Sequence, residues 1–468
     1  MMNLTDILAR QAHNHTTDIM TRLNNLQKYG VARVLGASSP TLTRIWGSTA
    51  RVATVPIDDA FVQDDFLDIF PFNRARECKI TSSGILYKGD PGYDVAVGDW
   101  MTEVPKTYIS KTRDATTGLK GISEFAQPGF YLPYCFKDDN GNELPYVYIA
   151  RFKTGKDGAT DVSRPDLVAE SWRTIDSFRQ AARSKGAGWQ LYDIHAVDLI
   201  KTLYDVKYAS LNSQAIFGDG LTAYRYSASD IAQIAETAVN RIILLNASAD
   251  AFVVGQQVCF GSSAGDPAIA KNRTITAINV YDGTRKEVVF DGATINVALT
   301  TIMWSGPQKT GQTKNLTKLD GKLSGTAGKK SFKFLGLEDL YGNVLEWIDG
   351  CMINERVAQV CRKSGSYASA LNADYSPVGY TNAATDGYPF EMGYDANYPE
   401  AQFPTTVGAG TTTGYCDYYY QTTGLRVLAL GGHSRSGSAA GLSCWGLNDA
   451  PSLSSWYFGS RLLFKPPV

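Results

Sequence analysis

The chain has 468 residues, of which 44% are hydrophobic and 19% charged, so it can bury a sizeable core and is not a disordered protein. Its 45 Lys and Arg residues balance 46 Asp and Glu residues, and no polybasic block occurs. This balance argues against nucleic acid or an anionic membrane as the main partner. No apolar run approaches the roughly 18 residues of a membrane span, and the first residues have no secretory core, so we expect no membrane insertion and no signal peptide.

The seven cysteines are odd in number and contain no C-x-x-C, which argues against a disulfide scaffold and a structural zinc site. No run of oxygen ligands has convincing spacing for a metal. We therefore predict neither cofactor nor metal. The 26 Tyr, 8 Trp and 44 Gly residues are unusual, because Tyr and Trp on Gly- and Ser-rich loops are typical of adaptable binding surfaces. Large loop-rich β folds share this composition.

In chain order, the first predicted element is a helix over 1–30, where Leu and Ile recur at three- and four-residue spacings and Gly30 marks the end. Such a helix can pack on its own domain or serve oligomerisation or docking. From 31 to 165, short β segments alternate with Gly/Pro turns, which predicts a β-rich region.

Two helices are predicted within 166–226, the first capped by Ser171 and the second carrying Ile194, Val197, Ile200 and Leu203 on a buried face. His195 on the second helix is interpreted as a packing residue. Alternating strands with Gly/Asp turns over 227–312 then predict a small β-sandwich or barrel inserted in the main fold. Residues 306–328 are interpreted as the exit linker.

Two later segments carry specific patterns. The first is Gly336-Leu-Glu-Asp-Leu-Tyr-Gly-Asn-Val-Leu-Glu-Trp-Ile-Asp-Gly350, and the second runs from Leu425 through Gly431-Gly432 to Trp456-Tyr-Phe-Gly-Ser-Arg461-Leu462. Together they resemble the C-type-lectin-like fold of the formylglycine-generating-enzyme type, which has a G-N-V-x-E-W signature, a later R-x-x-x-x-G-G and a closing G-[FS]-R-L strand. The matching pieces occur in order over 336–462.

The resemblance implies an α+β fold class. We predict a loop-rich C-type-lectin-like domain over 166–226 and 313–468, interrupted by the inserted β domain over 227–312. The β-rich region over 31–165 and the helix over 1–30 precede it. Gly342 and Gly432 suit close backbone approaches, Trp347 and Trp456 suit a core with little regular structure, and we expect Glu346 to bond loop backbone N–H groups.

The oxidases of this group use two cysteines close together near the C-terminus, whereas this chain has only Cys444 there and Cys416 well upstream. A thiol redox reaction needs a nucleophile and a resolving partner. Catalysis is therefore not expected, although an oxidase with displaced chemistry stays an alternative.

The segment 433–458 contains seven Ser and no Lys, Glu, Gln or Met, which is unusual for a surface loop. It resembles the variable region in target proteins of diversity-generating retroelements, where adenine-specific mutagenesis of AAC or AAT codons cannot yield Lys, Glu, Gln, Met or Trp. The resemblance implies a fixed set of residues, including Gly432, Trp445 and Trp456, that carries variable ligand-binding positions. Those positions are His433, Arg435, Ser436, Ala439, Cys444, Gly446, Asp449, Leu453, Ser455 and Tyr457.

Ten tyrosines between Tyr367 and Tyr420 precede this segment in the sequence and are further candidates for ligand contact. The sequence therefore predicts a phage receptor-binding protein at the tail tip or fibre of the virion. Its expected partners are a bacterial surface glycan or protein and other phage tail proteins, and family members are often homotrimers. An invariant lectin-like adhesin is the alternative binding protein.

Overall fold

The structure is a computed structural model that describes residues 28–467. The helix predicted over 1–30 lies outside the described residues except for its last three, and these begin a β-strand, so the helix prediction is wrong there. Gly30 does not end a helix. A Cβ atom at Gly30 would lie 2.6 Å from the ring of Trp46 on the neighbouring strand, so glycine allows that ring to cover the backbone.

The protein is mostly β-sheet, with 37% strand and 10% helix, arranged in several sheets joined by long loops. The region before the insertion supplies eleven strands. They are β1 (Lys28–Val34), β2 (Thr43–Trp46), β3 (Arg76–Thr81), β4 (Gly84–Tyr87), β5 (Asp99–Pro105), β6 (Tyr108–Arg113), β7 (Thr117–Ser123), β8 (Tyr146–Ala150), β9 (Gly155–Asp157), β10 (Thr160–Val162) and β11 (Trp189–Leu191).

Two helices are observed as predicted, α1 (Ile175–Arg183) before β11 and α2 (Ile194–Tyr208) after it, and the short α3 (Ser213–Phe217) follows them. The cap of α1 is Thr174 rather than the predicted Ser171, because the Thr174 hydroxyl accepts the Ser177 N–H at 3.2 Å. Asp193 caps α2 by accepting the Ala196 N–H at 2.9 Å. Nearly every residue of α2 is buried, since the helix packs between the sheet containing β1 and β7 and a second sheet from the C-terminal half.

The inserted segment forms antiparallel sheets with a core of its own. The five-stranded sheet has the order β13-β16-β15-β14-β18, and β12 pairs with β17. Its core cluster is drawn entirely from residues between Ala232 and Met303. The chain enters and leaves side by side, because the Ser305 N–H donates to the Arg225 carbonyl at 3.0 Å. The strands and one short helix are β12 (Glu236–Val239), β13 (Arg241–Leu245), α4 (Asn246–Ala249), β14 (Gln257–Gly261), β15 (Ala270–Val280), β16 (Arg285–Phe290), β17 (Ile295–Val297) and β18 (Ile302–Ser305).

The C-terminal part contains thirteen strands. A seven-stranded sheet has the order β24-β23-β22-β28-β29-β27, with β30 added beside β22. The strands are β19 (Gly321–Lys322), β20 (Phe332–Phe334), β21 (Leu337–Glu338), β22 (Leu345–Asn354), β23 (Val357–Cys361), β24 (Tyr375–Pro377), β25 (Pro389–Met392), β26 (Pro404–Val407), β27 (Tyr419–Gln421), β28 (Leu425–Leu430), β29 (Trp445–Asp449), β30 (Phe458–Gly459) and β31 (Leu462–Phe464).

One six-stranded sheet, in the order β11-β31-β8-β5-β3-β4, brings the C-terminal strand together with strands from before the insertion. The last strand, β31, lies between β11 and β8, with Leu463 opposite Ile149. The region predicted as 31–165 thus shares a sheet with the C-terminal strand. None of the helices within 28–467 has the length and apolar character needed to cross a membrane.

Candidate functional site

Two of the three signature pieces of the sequence meet at a buried ion cluster. Arg461 Nη2 lies 2.8 Å from Glu346 Oε1, and Lys153 Nζ lies 2.7 Å from the same oxygen. Burial alone would raise the pKa of Glu346, but Arg461 and Lys153 outweigh it and hold the pKa below its ordinary value. The expectation that Glu346 bonds loop N–H groups is wrong, because these two cations occupy it. Glu338 has that role instead, accepting the Gly311 and Thr313 N–H groups at 2.6 and 2.7 Å.

The aromatic and glycine residues of the signature pack closely around this cluster. Trp347 stacks on Phe458 with ring centroids 3.9 Å apart. Gly342 has a φ of 82°, and a Cβ atom there would lie 2.8 Å from the Leu221 carbonyl oxygen. Gly432 has a φ of 74°, and its Cβ would lie 2.9 Å from that of Ala440. Both glycines therefore make the close approaches predicted from the sequence.

We call residues 433–458 the serine-rich segment. Its first turn is held in place mainly through hydrogen bonds of its backbone. The Ser434 N–H donates to the Asn343 carbonyl at 2.9 Å, and the Ser434 carbonyl accepts the Tyr224 N–H at 2.8 Å. The Ser436 hydroxyl accepts the His433 N–H at 2.9 Å. Because main-chain groups and the Ser436 hydroxyl fix this turn, the side chain at 435 can change without removing these anchors.

Arg435 is the exposed residue of that turn and lies on an aromatic cluster. Its guanidinium carbon is 4.0 Å from the centroid of the Tyr226 ring. Tyr226 stacks on Trp456 at 5.1 Å, and Trp456 meets Trp304 of the inserted domain at 5.4 Å. Burial, and then the charge of Arg435, lower the pKa of His433 to about 3, so its imidazole is neutral at pH 7. We call the rings of Trp172, Tyr226, Trp304, His433, Trp456 and Tyr457 the aromatic junction.

A cleft of about 490 Å³ opens beside the aromatic junction. One wall is the turn with Arg435 and Gly437, and Ala251 of the inserted domain contributes to the opposite side. Its floor is the segment from Thr222 to Tyr226, in which Arg225 Nε pairs with Asp230 at 2.8 Å. The cleft thus combines guanidinium, phenol and backbone groups, which suit recognition of a polar ligand.

The ten predicted ligand-binding positions differ in accessibility. Arg435 is exposed, seven are half-buried and two are buried. The half-buried ones are His433, Ser436, Ala439, Asp449, Leu453, Ser455 and Tyr457.

Cys444 and Gly446 are the two buried positions, so neither lies on an accessible surface as a ligand-binding position would. Cys444 is 1% exposed, and burial together with Asp417 raises the pKa of its thiol. Gly446 lies on β29 between β27 and β28, opposite Tyr420 and Ala429. Gly446 is thus an interior position of the seven-stranded sheet, and Cys444 is a buried residue just before β29.

The tyrosines before the serine-rich segment divide in the same way. Tyr388, Tyr418 and Tyr420 form an accessible aromatic patch, with ring centroids 5.1 and 4.7 Å apart. The Tyr418 N–H donates to the Ala439 carbonyl, so this patch adjoins a predicted ligand-binding position. In contrast, four of the candidates are core residues: Tyr367, Tyr375, Tyr415 and Tyr419.

Sequence reasoning missed Tyr224, Arg225, Tyr226 and Trp304, which lie far from the serine-rich segment in sequence. The available signal was the Tyr-Arg-Tyr run directly before the insertion, since aromatic and arginine residues are enriched where proteins bind partners. Among residues 28–467, no group of three or more His, Cys, Asp and Glu residues could hold a metal ion.

Comparisons with protein-family models and with curated proteins find no match for this chain.

Proposed function

We propose that this protein is a phage receptor-binding protein whose C-terminal domain has a C-type-lectin-like fold of the formylglycine-generating-enzyme type. In this proposal, side chains of the serine-rich segment contact a bacterial surface molecule. Buried contacts between the resembling sequence pieces support the fold assignment. Glu346 bonds Arg461, Trp347 stacks on Phe458, and the Gly342 N–H donates to the Gly431 carbonyl.

The observation that carries the functional proposal is the presentation of Arg435. The backbone of its turn is bonded to Asn343 and Tyr224, while its side chain is exposed at a cleft. A rigid turn with a replaceable side chain lowers the entropy lost on binding and tolerates sequence change.

An invariant lectin-like adhesin is the second candidate, and the burial of Cys444 and Gly446 favours it. A retroelement that changed these positions would place new side chains in the interior, on β29 and just before it. The oxidase alternative receives less support, because burial first and then Asp417 raise the pKa of Cys416 to about 12. Thiolate, rather than thiol, is the reactive form of cysteine.

Binding of the labelled full chain to a panel of intact Gram-negative and Gram-positive strains, measured by flow cytometry, tests the proposal. We expect binding to a subset of strains, and a fall of about tenfold or more with Arg435→Ala. Arg74→Ala, at an exposed arginine of the N-terminal region, is the matched control. Absence of binding to every strain, or equal binding by both variants, would contradict the proposal.

A further inference from the structure

A second cleft meets the first at Tyr224. It measures about 230 Å³ and lies between residues Val253 to Gln256 of the inserted domain and the segment Gln308 to Thr310, which follows β18. We call the described chain outside the inserted sheets the body. Lys329 crosses between the two sides, its Nζ donating to the Ala251 carbonyl at 2.7 Å. The two clefts together, here the junction groove, follow the boundary between the inserted domain and the body.

The junction groove is lined by cations. Arg225 and Arg435 line the first cleft, and Lys309, Lys329 and Lys330 line the second. Within the part of the chain that the structure describes, Arg435 and the three lysines form no ion pair. Since the whole chain has a net charge of −1, this concentration of positive charge is local rather than a property of the entire surface.

The acidic residues near the groove do not cancel this charge. Asp230 is buried and paired with Arg225. Asp166, the acidic residue lining the second cleft, is paired with Lys314. Asp250, next to Ala251, is paired with Lys286. These three carboxylates have partners of their own, and Asp58, which lies near Lys330, is outnumbered by the four cations that form no ion pair among the described residues.

The remaining lining favours a sugar polymer over nucleic acid. Tyr224 is only 7% exposed, and the ring of Tyr226 is covered by Arg435 and Trp456. Binding of single-stranded nucleic acid relies on open aromatic faces for base stacking, which these rings do not offer. The exposed side-chain amide of Gln312 instead lines the second cleft, where it can hydrogen-bond the hydroxyl groups of a saccharide.

We infer that the junction groove binds an anionic polysaccharide. Repeated carboxylate or phosphodiester groups would contact Arg435 in the first cleft and Lys309 and Lys330 in the second. This inference rests on the proposed receptor-binding function and deepens it by naming the chemical class of the ligand.

The test measures affinity of the full chain for polygalacturonate, poly(glycerol phosphate), neutral dextran and an oligothymidylate, each at low and high ionic strength. The first two probes distinguish a carboxylate from a phosphodiester ligand. We expect one or both to bind, with affinity falling as salt rises, and dextran to bind weakly or not at all. The double variant K309Q/K330Q should bind about tenfold more weakly.

The matched control is K106Q/K363Q, which removes the same charge from two lysines that are 36% and 57% exposed elsewhere. Equal affinities of the two double variants, preferred binding of dextran or tightest binding of the oligothymidylate would overturn the inference. If the chain binds bacterial cells but neither anionic polymer, this inference fails while the proposed function stands. If it binds no cells either, the proposed function fails as well.

Discussion

At the scale of single residues, Glu346 connects three segments that are distant in the chain. Its carboxylate holds Arg461 from the C-terminal end and Lys153 from the N-terminal region, and all three side chains are buried. Arg461 also donates to the carbonyls of Ala150 and Glu338, at 2.8 and 2.7 Å. Removing the central carboxylate would leave two buried cations without their anion.

We therefore predict that Glu346→Gln lowers the free energy of unfolding by about 3–5 kcal/mol, the usual cost of breaking a buried ion pair. Glu143→Gln is the control, since Glu143 pairs with Lys106 at the surface and its side chain is 48% exposed. That change should cost less than about 1 kcal/mol. Chemical denaturation measures both, and similar losses for the two variants would contradict the role given to Glu346.

Asp449 provides a pH-dependent test. Burial raises the pKa of its carboxyl from 3.8 to about 6, despite the opposing charge of Arg426. Ionisation is thus harder in the folded state, and above pH 6 the charged carboxylate destabilises the fold. We predict that Asp449→Asn stabilises the protein by about 1–2 kcal/mol at pH 7. The gain should shrink as pH falls from about 6 to 3.8, where the wild-type carboxyl is protonated.

Thermal unfolding of both proteins across this pH range measures the difference. If the gain stays constant with pH, or if the variant is less stable at pH 7, then ionisation of Asp449 does not lower the stability of the folded state.

At the scale of elements, two features indicate that the inserted domain can fold by itself. It has a separate core, and its two ends lie side by side. Its core cluster contains no residue from outside 232–303, and the Arg225–Ser305 hydrogen bond closes its two ends. We predict that a fragment of residues 226–306 unfolds in one cooperative transition. A fragment without such a transition would show that the insertion depends on the body.

Neighbouring leucines on β13 supply matched variants for that fragment. Leu244 is fully buried and Leu245 is 46% exposed. Leu244→Ala should cost about 2–5 kcal/mol, while Leu245→Ala should change the stability by less than about 0.5 kcal/mol. Equal effects would mean that the described sheet is not the one that folds in the fragment.

Local patterns in the sequence predicted these elements better than their arrangement. The strands predicted within 227–312 are observed, Arg241–Leu245 among them, because short apolar runs between Gly/Asp turns indicate local structure. The segment 306–328, predicted as a linker, is not one. Gln308, Thr313 and Asp320 are buried, and their side chains form hydrogen bonds with other segments.

Pairing between distant strands explains what could not be predicted. β31 joins the sheet of β8 across more than 300 residues, and no periodicity within either strand encodes that choice. The candidate site depends on the same kind of contact. Arg435 was predicted from its own segment, whereas Tyr226 and Trp304 reach it only through the placement of the inserted domain.

At the scale of the whole molecule, we expect several copies of the protein to bind together. A single cleft lined by a few cations gives modest affinity, and linking identical sites raises the overall affinity without new contacts. From the resemblance to trimeric family members, we predict that the full chain is a homotrimer. Mass photometry should give three times the chain mass of 51.0 kDa, and a monomer at micromolar concentration would contradict this prediction.

Deep sequencing of codons 433–458 across a population that carries this gene tests most directly whether the segment is diversified. We predict substitutions concentrated at template adenines of accessible positions such as Arg435 and Tyr457, with Gly432, Trp445 and Trp456 unchanged. We also predict few changes at the buried Cys444 and Gly446. A segment as uniform as the rest of the gene would contradict diversification and leave an invariant adhesin.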